Sequence, residues 1–251
     1  TDTAKLTLHD DAEINVDNGP DTRPLFGHQL SGVRIFQKNG AVPIFNSKKK
    51  LTINVKDKTT AKNGSYLVGI YINGNGAEAN LKDSEITIKA NGTSSAAIKI
   101  GKPGDNKPAD YKGAVVNSTG KMVLDTTATK DSAAVRLFGT KSRLIADSDT
   151  SSGEIKSGSS AIVFDTMDLL LRGEEYREQE VRLNNTKITT NSDNASLIVA
   201  QENLETAKDG DAKFLLKGKD SEAKAAKNGW LVEAKAGQLR TSNLSVAIDN
   251  Q

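Results

Sequence analysis

The chain is 251 residues long, 36% hydrophobic and only 4% aromatic, with 34 Lys and Arg against 32 Asp and Glu for a net charge of +2. With no cysteine it has no disulfide scaffold, zinc–thiolate site or thiol nucleophile, and its two histidines cannot build a multi-histidine metal centre. No apolar run approaches the roughly 18 residues of a membrane span, and so lean an apolar content suits many thin layers better than one thick core.

Residues Leu6 to Val16 read as a pair of strands, with 1–32 as the start of a stack. His9, beside Asp10 and Asp11, has no further ligands near it in sequence. It reads as an exposed strand end, as does His28 between Gly27 and Gln29.

From residue 32 onward a short phrase recurs seven times: a small residue, an apolar one, an arbitrary one and usually a second apolar one. The copies are Gly32-Val33-Arg34-Ile35, Gly69-Ile70-Tyr71-Ile72, Ala97-Ile98-Lys99-Ile100, Ala134-Val135-Arg136-Leu137, Ala161-Ile162-Val163-Phe164, Ser196-Leu197-Ile198-Val199 and Trp230-Leu231-Val232-Glu233. The first apolar positions lie 37, 28, 37, 27, 35 and 34 residues apart, a mean of 33. Strand chemistry repeated at such a period marks units that each stack on the next. The small residue is expected where neighbouring backbones approach closely, and the unequal spacing where loops of different length separate strands that stay in register. Trp230 and Glu233 break the rule in the last copy.

Between Arg23 and Lys62 stand nine basic residues, Arg23, Arg34, Lys38, Lys48, Lys49, Lys50, Lys56, Lys58 and Lys62, against the single acid Asp57. The segment carries +8 and the remainder −6, which predicts an anionic partner for one end of the molecule. The candidate binding set is Arg34, Lys38, Lys48, Lys49, Lys50, Lys56, Lys58 and Lys62. The competing reading of Lys48-Lys49-Lys50 is a solvated turn guarding a sheet edge. Cations on adjacent coils about 4.8 Å apart would suit a sulfated glycosaminoglycan. A nucleic acid partner is disfavoured by the scarcity of aromatics and the near-neutral charge.

Each phrase is followed by a second frame, an apolar residue and another five positions on: Leu81 and Ile86, Leu183 and Ile188, Leu239 and Leu244. It describes two short strands joined by a polar bend, so each unit holds about three strands. Residues 101–108, 147–153 and 208–211 read as loops; 174–180 and 220–227 have helical character, or form charged loops or strand edges. Asn-x-Ser/Thr triplets begin at Asn63, Asn91, Asn117, Asn184, Asn194 and Asn243 and are expected to serve hydrogen-bonded turns and partial polar ladders. Asp147-Ser148-Asp149 is too short a match for a calcium loop.

The phrases Ser65-Tyr66-Leu67-Val68-Gly69-Ile70-Tyr71-Ile72-Asn73-Gly74 and Ser95-Ala96-Ala97-Ile98-Lys99-Ile100, with the paired strands after them, resemble the passenger domains of bacterial autotransporters of the pertactin-like and AIDA-like kind. The likeness runs from about Val33 to Ile248 and rests on repeat texture, not on a signature motif. It implies an all-β, right-handed parallel β-helix with protruding loops. On this reading 1–251 is a single passenger fragment whose stack continues in a longer protein. It further implies a secreted or surface-displayed, virulence-associated protein that binds host cells as an adhesin or as a soluble ligand of a host cell-surface receptor. Self-association is the alternative. No cofactor or metal is expected, and catalysis ranks below binding because the acids are dispersed where a glycan-degrading β-helix enzyme would cluster them.

Overall fold

The structure, a computed structural model, describes residues 3–18, 29–38, 40–57, 66–89, 95–101, 111–129, 132–165, 178–201, 211–235 and 243–249. Twenty strands make up the secondary structure of these residues, and no helix occurs among them.

The strands fall on three faces of a prism. The first face is a seven-stranded sheet of β3 (Gln29–Phe36), β5 (Tyr66–Asn73), β7 (Ala96–Ile100), β10 (Ala133–Phe138), β13 (Ile162–Asp165), β16 (Ile198–Gln201) and β19 (Val232–Lys235), stacked in that order. The other two faces share a thirteen-stranded sheet. The second carries β1 (Thr3–Leu8), the first half of β4 (Val42–Asp57), the first half of β6 (Glu78–Lys89), β8 (Val115–Ser118), β11 (Arg143–Ala146), β14 (Gln179–Asn184), β17 (Asp211–Lys217) and β20 (Asn243–Asp249). The third carries β2 (Ala12–Asn18), the second halves of β4 and β6, β9 (Lys121–Thr126), β12 (Ser152–Ser157), β15 (Thr186–Thr190) and β18 (Glu222–Lys224). Only β4 and β6 run unbroken round the corner between second and third faces. Every pairing is parallel: the fold is a parallel β-helix.

Alternation puts one side of each strand into a single column of aliphatic side chains. Ile70 and Ile72 from the first face, Ala79 and Leu81 from the second, and Ile86 and Ile88 from the third meet in one coil, each at most 2% exposed. Ile98, Val116, Leu124, Val135, Leu144, Ile155, Phe164, Leu183 and Ile188 continue the column through the coils above. β-Branched residues dominate because each strand presents half of a pleated surface to the interior.

The unequal sequence spacing arises in large part at one corner; the first long interval comes instead from the 16-residue β4 and the link that follows it. Connections from the first face to the second run from four residues (139–142, after β10) to fourteen (101–114, after β7), whereas the strands themselves keep register. Two assignments change. On the first face the inward column runs Val33, Ile70, Ile98, Val135, Ile162, Ile198, Val232, so the last two copies of the phrase sit one residue later than Leu197 and Leu231 suggest. Adjacent apolar residues make that slip invisible in sequence; Leu197 is buried in the small-residue position, and Leu231 is 42% exposed. Likewise Leu244 pairs with Ala212 on the second face and does not follow a corner as Ile86 and Ile188 do; Leu239 lies outside the described residues.

Of the readings of 220–227 the strand edge holds and the helix does not: a turn leads into β18, last in its sheet among the described residues, and Ala223 and Ala225 pack on the core with strand periodicity. In the other such stretch Gln179 and Glu180 open β14, while 174–177 lie outside the described residues. Residues 147–151 form the expected turn; 102–108 and 208–210 are outside the described residues.

Candidate functional site

The lysine triplet owes its position to a register shift. β4 and β6 pair at Ser47 with Leu81 and again at Lys50 with Asp83, so Lys48 and Lys49 together oppose the single residue Lys82. This is a β-bulge, and it turns β4 from the second face to the third with three lysines exposed at the corner. Lys50 is engaged there: its ammonium meets Glu85 at 2.8 Å and its backbone N–H donates to Asp11 at 3.0 Å. The hydrogen bond to Glu85, reinforced by that carboxylate's charge, holds the Lys50 pKa above its ordinary value. Glu154 does the same for Lys156 through a 2.8 Å contact. Because both values are raised, the lysines stay charged through neutral pH, and on the alkaline side these contacts are lost as pH climbs past the raised values.

The other predicted cations are dispersed. Arg34 lies on the outside of the first face, its guanidinium 4.3 Å from the Phe36 ring centre and 6.0 Å from that of Tyr71. Lys38 is exposed in the turn after β3, and Lys56 sits on the third face in register with Asp17 below and Lys89 above. Lys58 and Lys62 lie outside the described residues. The +8 of the linear segment is also diluted in space. The coil beneath brings Asp10, Asp11, Glu13 and Asp17, and the coil above brings Glu78, Asp83 and Glu85. A charge run along the chain becomes one layer between two acidic ones.

The second face, beside the bulge, has a different surface. Asn46, Asn80 and Asn117 point outward on successive coils. Asn117 Nδ2 donates to Asn80 Oδ1 at 2.8 Å, Asn80 Nδ2 to Asn46 Oδ1 at 3.0 Å, and Asn46 Nδ2 to Thr7 Oγ1 at 3.3 Å. This ladder floors a groove of about 420 Å3 whose rim carries Lys5, Lys48 and Lys82. All three are exposed and make no ion pair among the described residues. Of them only Lys48 belongs to the sequence-derived set. Lys5 and Lys82 stand outside the dense basic run and join it only through the coil-to-coil register. Asn117, from an Asn-x-Thr triplet, serves a polar ladder as expected; Asn184 caps the neighbouring turn by donating to the Ser148 carbonyl at 2.8 Å, and Asn194 takes a left-handed turn conformation at φ 63°.

The first face has a second polar lattice that sequence reasoning passed over. The arbitrary position of the repeated phrase is Arg34, Tyr71, Lys99 and Arg136 on four consecutive rungs. Lys99 Nζ lies 4.9 Å from both the Tyr71 and Phe138 ring centres, Phe36 meets Tyr71 edge-on at 4.8 Å, and Arg136 pairs with buried Asp165 at 3.2 Å. With Tyr71 and Phe138 buried, these contacts bind rung to rung and present little ring surface to a ligand.

No protein-family model, curated protein or solved structure matches this chain. His9 is exposed between β1 and β2, and no group of three or more His, Asp or Glu able to hold a metal occurs among the described residues. The site with most binding character is therefore the lysine-rimmed asparagine groove.

Proposed function

We propose that this chain is a secreted or surface-displayed β-helical rod that binds host-cell surfaces, holding a sulfated glycosaminoglycan along the lysine-rimmed asparagine ladder of its second face. The observation that carries the reading is the groove itself, where three unpaired ammonium groups flank amides repeating at the spacing of the strands, about 4.8 Å. Ammonium groups meet sulfates, and the amides offer donors and acceptors to hydroxyls. The rigid floor limits the ordering cost of binding. The resemblance to autotransporter passenger domains supports the surface location, and whether the rod acts as an adhesin or as a soluble receptor ligand follows from whether activity stays with cells or passes into filtered medium.

Heparin retention is the direct test. Lys5→Ala/Lys48→Ala/Lys82→Ala is expected to bind about tenfold more weakly, from about 0.5 kcal/mol per exposed charge pair, and Lys49→Ala/Lys50→Ala to change little. Cell binding should fall in parallel and be blocked by free heparin. Equal retention of wild type and triple variant would sink the reading.

Self-association is a second reading, favoured by Trp230, 68% exposed, with Leu231 and Ile248 also exposed. Sedimentation velocity should show concentration-dependent association that Trp230→Asp removes; a single species at all concentrations for the wild type would reject it.

A further inference from the structure

The asparagine ladder has a direction, and its two ends differ. Each amide donates toward the first coil, Asn117 to Asn80, Asn80 to Asn46 and Asn46 to Thr7. The Oδ1 atoms of Asn46 and Asn80 are therefore each met by the Nδ2 one rung above. Asn117 is the exception. The outward residue one rung above it is Ile145, whose side chain has nothing to donate. Asn117 Oδ1 thus receives no hydrogen bond among the described residues, and it is open to solvent in a half-buried side chain that lines the groove.

Charge changes along the groove as well. Each coil gives it three residues at most, 46–48, 80–82 and 117–119, so it runs across the strands and along the rod. Its cations belong to the lower rungs, Lys5 on the first coil, Lys48 on the second and Lys82 on the third. On the fourth coil the place beside Lys82 is held by Thr119, exposed and uncharged. The lower end asks for anions. The upper end offers an open carbonyl oxygen, a hydroxyl and, about 4.8 Å beyond Asn117, the half-buried aliphatic side chain of Ile145.

A group that fits the upper end must be uncharged and carry a donor and an apolar tip within a few atoms of each other. An acetamido group does so: its N–H donates to Asn117 Oδ1 and its methyl lies against Ile145. An N-sulfate in that place would bring a charge with no cation to meet it, and no methyl.

We infer that the top of the ladder is a subsite for an N-acetylated hexosamine, its acetamido N–H donating to Asn117 Oδ1 and its methyl packed on Ile145, while sulfates or carboxylates on the neighbouring units meet Lys48 and Lys82. This deepens the glycosaminoglycan reading of the groove and rests on it. The glycan lies lengthwise, with the N-acetylated unit toward the later coils.

The test uses heparin tetrasaccharides stripped of N-sulfates and re-acylated with either acetyl or formyl groups, probes of equal charge that differ by one methyl per hexosamine. Chemical-shift titration of the full chain gives both affinity and location. The acetyl probe is expected to bind about fourfold more tightly, the share of one buried methyl, and to shift the Asn117 side-chain amide and the Ile145 methyls together. Ile145→Thr keeps a β-branched side chain on the strand and should bring the two probes level without weakening the formyl one. If that variant fails to fold, Ile145→Val should give a preference between those of the wild type and none. Equal affinity of the two probes for the wild type would overturn the subsite and leave the groove reading standing. So would a preference that survives Ile145→Thr, or binding that leaves the Asn117 and Ile145 signals unmoved. Lys5→Ala/Lys48→Ala/Lys82→Ala should weaken both probes about tenfold; undiminished binding there would sink the groove reading itself.

Discussion

Gly69→Val is expected to destabilise the rod by about 3 kcal/mol, the upper end of overpacking costs, and to lower the unfolding midpoint by about 10 °C. Gly69 sits one residue before the inward Ile70, on the first face. A Cβ there would overlap Ile86 Cγ2 and lie 2.5 Å from the Ala97 carbonyl oxygen of the next coil. A side chain such as Ile86 can rotate away. The Ala97 oxygen cannot move without dragging β7 out of register with β5 and β10. Gly69→Ala should fall between wild type and Gly69→Val. Thermal unfolding followed by circular dichroism gives the order directly, and three equal midpoints would mean that the interior yields where this packing says it cannot.

Phe164→Ala is expected to cost about 3–5 kcal/mol, the range for truncating a buried phenylalanine. Phe164 is 1% exposed, among the largest fully buried side chains of the described residues, in register with Leu137 below. The position of the damage is the sharper prediction. Each coil touches only its neighbours, so stability is close to a sum of nearest-neighbour terms. Hydrogen exchange should lose protection in β10, β13 and β16 while β4 and β6 keep theirs. Uniform loss along the rod would argue for all-or-none cooperativity instead.

The stacked architecture was legible in the sequence because two constraints repeat together: a small residue where backbones crowd, and an aliphatic pair at strand spacing. Gly32 and Gly69 show the first constraint acting, since a Cβ on either would run into Ile53 or Ile86 respectively. The register of the last two copies was not legible, because Leu197-Ile198 and Leu231-Val232 each put an apolar candidate in the small-residue position as well as after it. The groove was half legible. Lys48 announces itself by its neighbours in the chain, but Lys5 and Lys82 stand 43 and 34 residues away from it in sequence. Only the pairing of β1, β4 and β6 gathers them. The same pairing interleaves acids among the basic run, so net charge counted along the chain overstated the charge presented to a partner. The aromatic–cation lattice was readable in principle: Arg34, Tyr71, Lys99 and Arg136 occupy one position of the repeated phrase, the one treated as arbitrary. The open oxygen of Asn117 gave no signal at all, since it depends on which residue the next coil sets above it.

The corner between the first and second faces, where connections vary from four to fourteen residues, has a consequence for how such a molecule can change. Closing a longer connection costs little, since the entropy grows only with the logarithm of its length. Connections from the third face back to the first vary less, from four to ten residues, and those from the second to the third are shorter still, so the widest range of insertions and deletions falls at this one ridge, each leaving the rungs above and below undisturbed. Length variation is thereby greatest along one seam of the scaffold, and new segments could be grafted there without redesigning the interior.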